Sequence, residues 1–144
     1  MVTLYLPVGI PGSGKTTYFN TINNPRIILL SGDNERRRMG CVRHMLIQKA
    51  EMLVKAGISV YFDSPNITKN GRREVIERIK NANPETRIVG IWCDTSVESC
   101  LQNNKDRGST VPDERIIEMY THLEPPSIDE GFTEIKRVKK ESVV

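Results

Sequence analysis

Short apolar runs punctuate this chain at regular intervals. TLYLPV (3–8), RIILL (26–30), ISVYF (58–62), RIVGIW (87–92) and FTEIKRV (132–138) are each short and rich in β-branched or aromatic residues. Such runs, bounded by turn residues, read as strands, with RIILL expected to be buried. Between them the apolar period changes to that of a helix. Met39, Val42, Met45, Leu46, Met52, Leu53 and Ala56 fall mostly on one face of a helix predicted over 35–56, and Gly57 ends it. Val75, Ile76 and Ile79 mark the inward side of a helix over 72–82, stopped by Asn83-Pro84. A further helix is predicted over 96–107. Pro112 opens another that runs to about Leu123, with Ile116, Ile117, Met119 and Tyr120 partly buried.

Strands that alternate with helices predict an α/β fold. The expected architecture is a single domain over 1–144, a central parallel sheet of four to five strands with helices on both faces. Ligands of such sheets bind at the carboxyl ends of the strands. One edge therefore gathers the loop after the first strand, Asp33, Asp63 and Cys93-Asp94.

Composition narrows the picture only a little. A chain of 144 residues is short for a large mechanochemical hexameric ATPase. With 38% apolar and 27% charged residues it suits a globular domain. No apolar run is long enough for a membrane span and no secretory signal is evident, so no membrane partner and a cytoplasmic location are expected. Cys41, Cys93 and Cys100 lack the Cys-x-x-Cys spacing of a zinc or redox site and read as small apolar residues. His44 and His122 read as ordinary helix residues. The net charge of +3 permits a nucleic-acid partner without requiring one. Basic runs at 36–38 and 136–140 are the local exceptions, and a solvated face is the usual meaning of such runs.

The chemistry begins at GIPGSGKT, residues 9–16, which has the Gly-x-x-x-x-Gly-Lys-Thr spacing of a phosphate-binding loop. Glycines let the backbone curl and aim several N–H groups at one point, and the following helix adds the positive end of its dipole. Strand, glycine loop and helix is the context that gives the motif meaning. The expected nucleotide site comprises Gly9, Pro11, Gly12, Ser13, Gly14, Lys15, Thr16 and Thr17. Lys15 would reach the β- and γ-phosphates of ATP, and Thr16 would bind Mg²⁺.

A kinase also needs a base beside the attacking hydroxyl and positive charge on the transferring phosphoryl group. Asp33 and Asp63, at strand ends, are candidates for the base and for ordering the metal; a helix cap and a turn residue are their plainer readings. Arg36–Arg38 open a helix, where cations oppose the dipole, which points to an anionic acceptor. The segment around 101–115 reads as a lid. Its Arg107, or else Lys105, would close over the γ-phosphate.

GIPGSGKTT, GDNERR, VYFDSPNITKNGRRE and NNKDRGSTVPDERIIEMY, with their spacing, together resemble the polynucleotide 5′-hydroxyl kinase family, phage enzymes included. EPPSIDEGFTEI resembles segments of the wider group of small P-loop kinases. The resemblance spans nearly the whole chain. It implies transfer of the γ-phosphate of ATP to the 5′-hydroxyl end of RNA or DNA. It makes Asp33 the general base, Lys15 and Arg107 catalytic, and Arg36, Asp63 and Arg73 the acceptor side. The chain departs from the phage pattern at Asn103, where that lid carries a further basic residue, and at Gly32 and Asn34, which flank the base. No Asp-x-Asp-x-Thr signature occurs, so a kinase without a phosphatase half is expected. A small-molecule hydroxyl as acceptor, or a regulatory NTPase without one, remain the alternatives.

Overall fold

In the computed structural model, which describes residues 1–31 and 42–141, residue alternation along β1 (Thr3–Val8) builds the centre of the molecule. Leu4 and Leu6 face one side and Tyr5 the other. β2 (Ile28–Ser31), β3 (Val60–Asp63), β4 (Arg87–Cys93) and β5 (Glu134–Val138) join it in a parallel sheet of order β2-β3-β1-β4-β5. The α/β class and the five strands agree with the sequence-based expectation. Asp33, Arg36 and Cys41 lie outside the described residues, as does the first part of the helix predicted over 35–56.

Both faces are covered. On one, Leu4, Leu6, Val60, Phe62 and Ile88 meet α2 (Val42–Lys55) and α3 (Lys69–Ala82). On the other, Tyr61, Val89, Ile91 and Cys93 meet Tyr18, Phe19 and Ile22 of α1 (Lys15–Ile22). A third cluster, Ile10, Cys100 and Ile116, joins α4 (Val97–Asp106) and α5 (Asp113–His122) to the loop after β1. Thr68 and Ser96 start α3 and α4 by accepting hydrogen bonds from the Gly71 and Ser99 amides.

Three apolar assignments differ from expectation. RIILL is not a buried strand: β2 is an edge of the described sheet, and its Ile28 is 39% exposed. On α2 the buried stripe is Leu46, Ile47, Ala50 and Val54. The four-residue spacing from Leu46 to Ala50 to Val54 keeps one face inward, and turns Met52 and Ala56 outward. On α5, Ile116 alone is fully buried, whereas Ile117 and Tyr120 are exposed.

Among the described residues, one charged side chain sits in the interior. Arg72 is fully buried, and its Nε and Nη2 donate to the two carboxylate oxygens of Glu130 at 2.7 and 3.0 Å. Its Nη1 donates to the Asn66 carbonyl at 2.8 Å. Glu130 also accepts from the Ser127 amide, so this ion pair ties α3 to the 3₁₀ turn (Ile128–Glu130) that leads into β5. Removing one partner of a buried pair strands the other. Arg72→Met is expected to cost about 3–5 kcal/mol, read as a lower midpoint in urea denaturation; a change within error would mean that Glu130 is solvated here.

Candidate active site

The loop after β1 carries its donors inward because its carbonyls are held outward. Lys15 Nζ donates to the Gly9 carbonyl at 2.9 Å, and the Ser13 amide to that of Ile10 at 3.1 Å. Asn104 Nδ2 donates to Pro11 at 2.6 Å, Asn103 Nδ2 to Gly12 at 2.9 Å, and Thr95 Oγ1 to Ser13 at 2.8 Å. The Tyr18 amide and the Tyr61 hydroxyl take the carbonyls of Gly14 and Lys15, at 2.9 and 2.7 Å. Every peptide here is trans, so each amide points opposite to the carbonyl before it. Turning Pro11 and Ser13 out onto α4 and Thr95 aims the amides of Gly12 and Gly14 into the cleft that both residues line. Gly12 and Gly14 have φ of 86° and 108°, which side-chain-bearing residues rarely adopt. A Cβ on Gly12 would also sit 2.5 Å from Asn104 Nδ2.

Burial shapes the floor beneath. It pushes the Tyr61 phenol far above its ordinary value, so the hydroxyl stays a donor to Lys15. Burial likewise pushes the Cys93 thiol up to about 11 and that of Cys100 up to about 12. Neither is a nucleophile in the neutral range.

A cleft of about 210 Å³ opens on the inward amides. Among the described residues its lining carries five cations, Lys15, Arg43, Arg107, Arg115 and Lys140, against one carboxylate, Asp63. Such a lining favours a polyanion. Thr16 Oγ1 donates to Asp63 Oδ2 at 3.1 Å, which puts two hard oxygen ligands side by side; that pair fits Mg²⁺, which typically takes one or two protein oxygens together with phosphates. Arg107 is fastened by Nε and Nη2 to Asn104 Oδ1, at 3.2 and 2.7 Å. The buried Asn104 amide therefore links this guanidinium to the Pro11 carbonyl.

The expected nucleotide residues divide into two tiers. Pro11, Gly12, Gly14, Lys15, Thr16 and Thr17 line the cleft. Gly9 and Ser13 are buried and lie outside that lining. On the acceptor side Asp63 and Arg107 face the cleft together, whereas Arg73 is exposed on α3 and, like Lys105, outside the lining. The basic residue that α2 contributes is Arg43, whose Nη2 donates to the Gly71 carbonyl at 2.7 Å. Thr95, Asn104, Arg43, Arg115 and Lys140 were not singled out from sequence. The signal for Asn104 was there: two adjacent asparagines inside a helix, where their propensity is poor, need another reason.

Comparison with known proteins fits this geometry. The model of the AAA domain family matches residues 4–126. The chain belongs to the AAA domain family. As a fold, this AAA domain is similar to a fungal RNA kinase structure: TM-score 0.77, 19% identity, covering 99% of this chain and 76% of that one. It is also similar to Chaetomium thermophilum Kti12 in complex with ADP-AlF3, with a TM-score of 0.73, 17% identity and coverage of 94% and 88%. The Mycobacterium tuberculosis APS kinase, solved with AMPPNP and APS, gives a TM-score of 0.62, 15% identity and coverage of 97% and 90%. The AAA domain thus has the fold of the P-loop kinases.

Two expectations follow. Asn104→Ala leaves the Pro11 carbonyl and Arg107 without their shared partner. It should cost about 1–3 kcal/mol in urea denaturation and weaken nucleotide binding in titration calorimetry. The buried thiols have raised values when folded, so they favour the folded state below their ordinary value of 9.0 and lose that contribution as pH rises through about 11 and 12. The melting temperature should fall above pH 9, less steeply in the C93A/C100A variant.

Proposed function

We propose that this AAA domain is a Mg²⁺-dependent kinase that transfers the γ-phosphoryl group of ATP to the 5′-hydroxyl end of a polynucleotide. The reading rests foremost on one observation. The cations of the lining come from beyond the loop as well as from it: Arg107, held by Asn104, and Arg43 and Arg115, whose ion pairs with Glu74 and Glu118 are long, at 3.6 and 3.9 Å. A neutral small acceptor gives no reason for that excess of positive charge. A chain that carries phosphates beyond its reacting end does.

In the reaction, the acceptor hydroxyl oxygen forms a bond to the γ-phosphorus. The bond from that phosphorus to the β–γ bridging oxygen breaks, and ADP leaves with the electron pair. Asp33 takes the hydroxyl proton, a role that comes from the family resemblance. The inward amides and Lys15 hold the β- and γ-phosphates, and Arg107 meets the charge that develops on the transferring group. Thr16 and Asp63 would hold Mg²⁺, which would supply positive charge against the phosphates. Arg36, with Arg43 and Arg115, would grip the acceptor's backbone. Arg73 would contact it only further from the reacting end.

The test is an acceptor panel with γ-labelled ATP: 5′-hydroxyl RNA, 5′-hydroxyl DNA, nucleosides, sugars and no acceptor. Label is expected on an oligonucleotide, with affinity that falls steeply with salt. Label only on a nucleoside or sugar would make this a small-molecule kinase, and turnover indifferent to acceptor a regulatory NTPase. Lys15→Ala should abolish transfer. Arg107→Ala should lower kcat by about a hundredfold while changing ATP affinity far less. Asp33→Asn should bind ATP and fail to transfer; normal transfer would reduce Asp33 to a helix cap.

A further inference from the structure

The basic run at 136–140 is not a uniform solvated face. Within it, Arg137 Nε donates to Asp94 at 2.7 Å, so its charge is met by a carboxylate. Lys140 differs. Its ammonium donates to the neutral hydroxyl of Thr17, at 3.0 Å, in the first turn of α1.

Its backbone is fixed from several sides. The Lys140 amide donates to Thr95 Oγ1 at 2.8 Å, and its carbonyl accepts from Asn103 Nδ2 at 2.8 Å. These are the same two side chains that hold the Ser13 and Gly12 carbonyls. The next residue, Glu141, accepts from the Ser96 amide and hydroxyl and from the Ser99 hydroxyl, at 3.1, 2.8 and 2.6 Å. Lys140 also crosses the loop at a glycine: a Cβ on Gly14 would lie 3.1 Å from Lys140 Cβ. Holding a segment this firmly against a loop that gathers anion donors gives its cation a fixed address.

The sheet order bears on which phosphate would lie there. Successive helix residues point about 100° apart, so Thr16 and Thr17 face different neighbours. Thr16 turns to Asp63 at the end of β3, and Thr17 to Lys140 beyond β5. β3 and β5 lie on opposite sides of β1. If Thr16 and Asp63 take the metal-bearing β–γ end, as in the proposed function on which this inference rests, the chain of phosphates leaves the loop toward Thr17 at its nucleoside end.

We propose that Lys140 is a nucleotide-binding residue that contacts the α-phosphate of ATP and ADP, with Thr95 and Asn103 as the residues that position it. It lies beyond the stretch matched to the family model, which ends at residue 126.

The experiment compares wild type, Lys140→Met and Lys140→Arg by titration calorimetry with Mg·ATP and with ADP, alongside steady-state kinetics. Methionine keeps an apolar stem and removes the charge. Lys140→Met should weaken ATP and ADP by the same factor, about tenfold, as for one exposed charge-assisted hydrogen bond. KM for ATP should rise by a larger factor than kcat falls, the mark of a contact made in ground and transition state alike. Lys140→Arg should recover most of the loss. Unchanged affinity for both nucleotides would overturn the assignment. So would a loss confined to ATP with a fall mainly in kcat, which would put the ammonium at the γ end. A melting temperature lowered without a change in affinity would make Lys140 a structural tie only. Wild type that binds neither nucleotide would instead take down the kinase reading, and this inference with it.

Discussion

An anion-binding loop needs its amides to point one way, and planar trans peptides then force its carbonyls to point the other. Those carbonyls sit in the body of the protein, where unpaired acceptors cost free energy. From Gly9 to Lys15 each is met by a donor, and three of the donors are side chains of Thr95, Asn103 and Asn104. The rest of the site follows from that pairing. It brings α4 against the loop, makes glycine necessary at position 12, and seats Arg107 at the cleft. A single amide side chain, Asn104, works in both directions: its nitrogen holds the loop and its oxygen holds the guanidinium.

The sheet supplies the frame for this arrangement. β1 lies between β3 and β4, so the loop that follows it opens between two neighbouring strand ends. Asp63 comes from one of them and Thr95 from just beyond the other. The Gly9 amide donates to the Pro65 carbonyl, and Asn66 Nδ2 to the carbonyls of Pro7 and Ser64. The carboxylate after β3 is thereby fixed relative to the loop through the backbone, and the Thr16–Asp63 contact follows from it.

Local information in the chain was easy to read. The glycine loop, five strands and most helices carry their own periods and caps. Asp63 is legible because strand ends in a parallel sheet share one edge, and Arg107 because a basic residue before Gly-Ser-Thr and a proline-led helix reads as a lid. What escaped was nonlocal. The inward stripe of α2 depended on which of two overlapping apolar faces met the sheet, and Leu46, Ala50 and Val54 won over Met52. Arg72 rather than its neighbour Arg73 is buried, because Glu130 lies across from it. Asn103 drew notice only as a departure from a basic residue, although its amide is complementary to two carbonyls far apart in sequence. Lys140 was hidden inside a basic run whose members have different partners.

The distances along the chain have a kinetic meaning. The bonds that shape the loop join residues 82 to 93 positions apart, and the contact of Lys140 with Thr17 spans 123. Closing spans of that length has an entropic cost that only a largely collapsed sheet can offset. The motif is made before the residues that hold it, so its binding shape waits on parts of the chain 82 to 93 positions further on. A nascent chain carrying the whole glycine-rich stretch would therefore remain blind to nucleotide until Thr95, Asn103 and Asn104 have been made and folded against it.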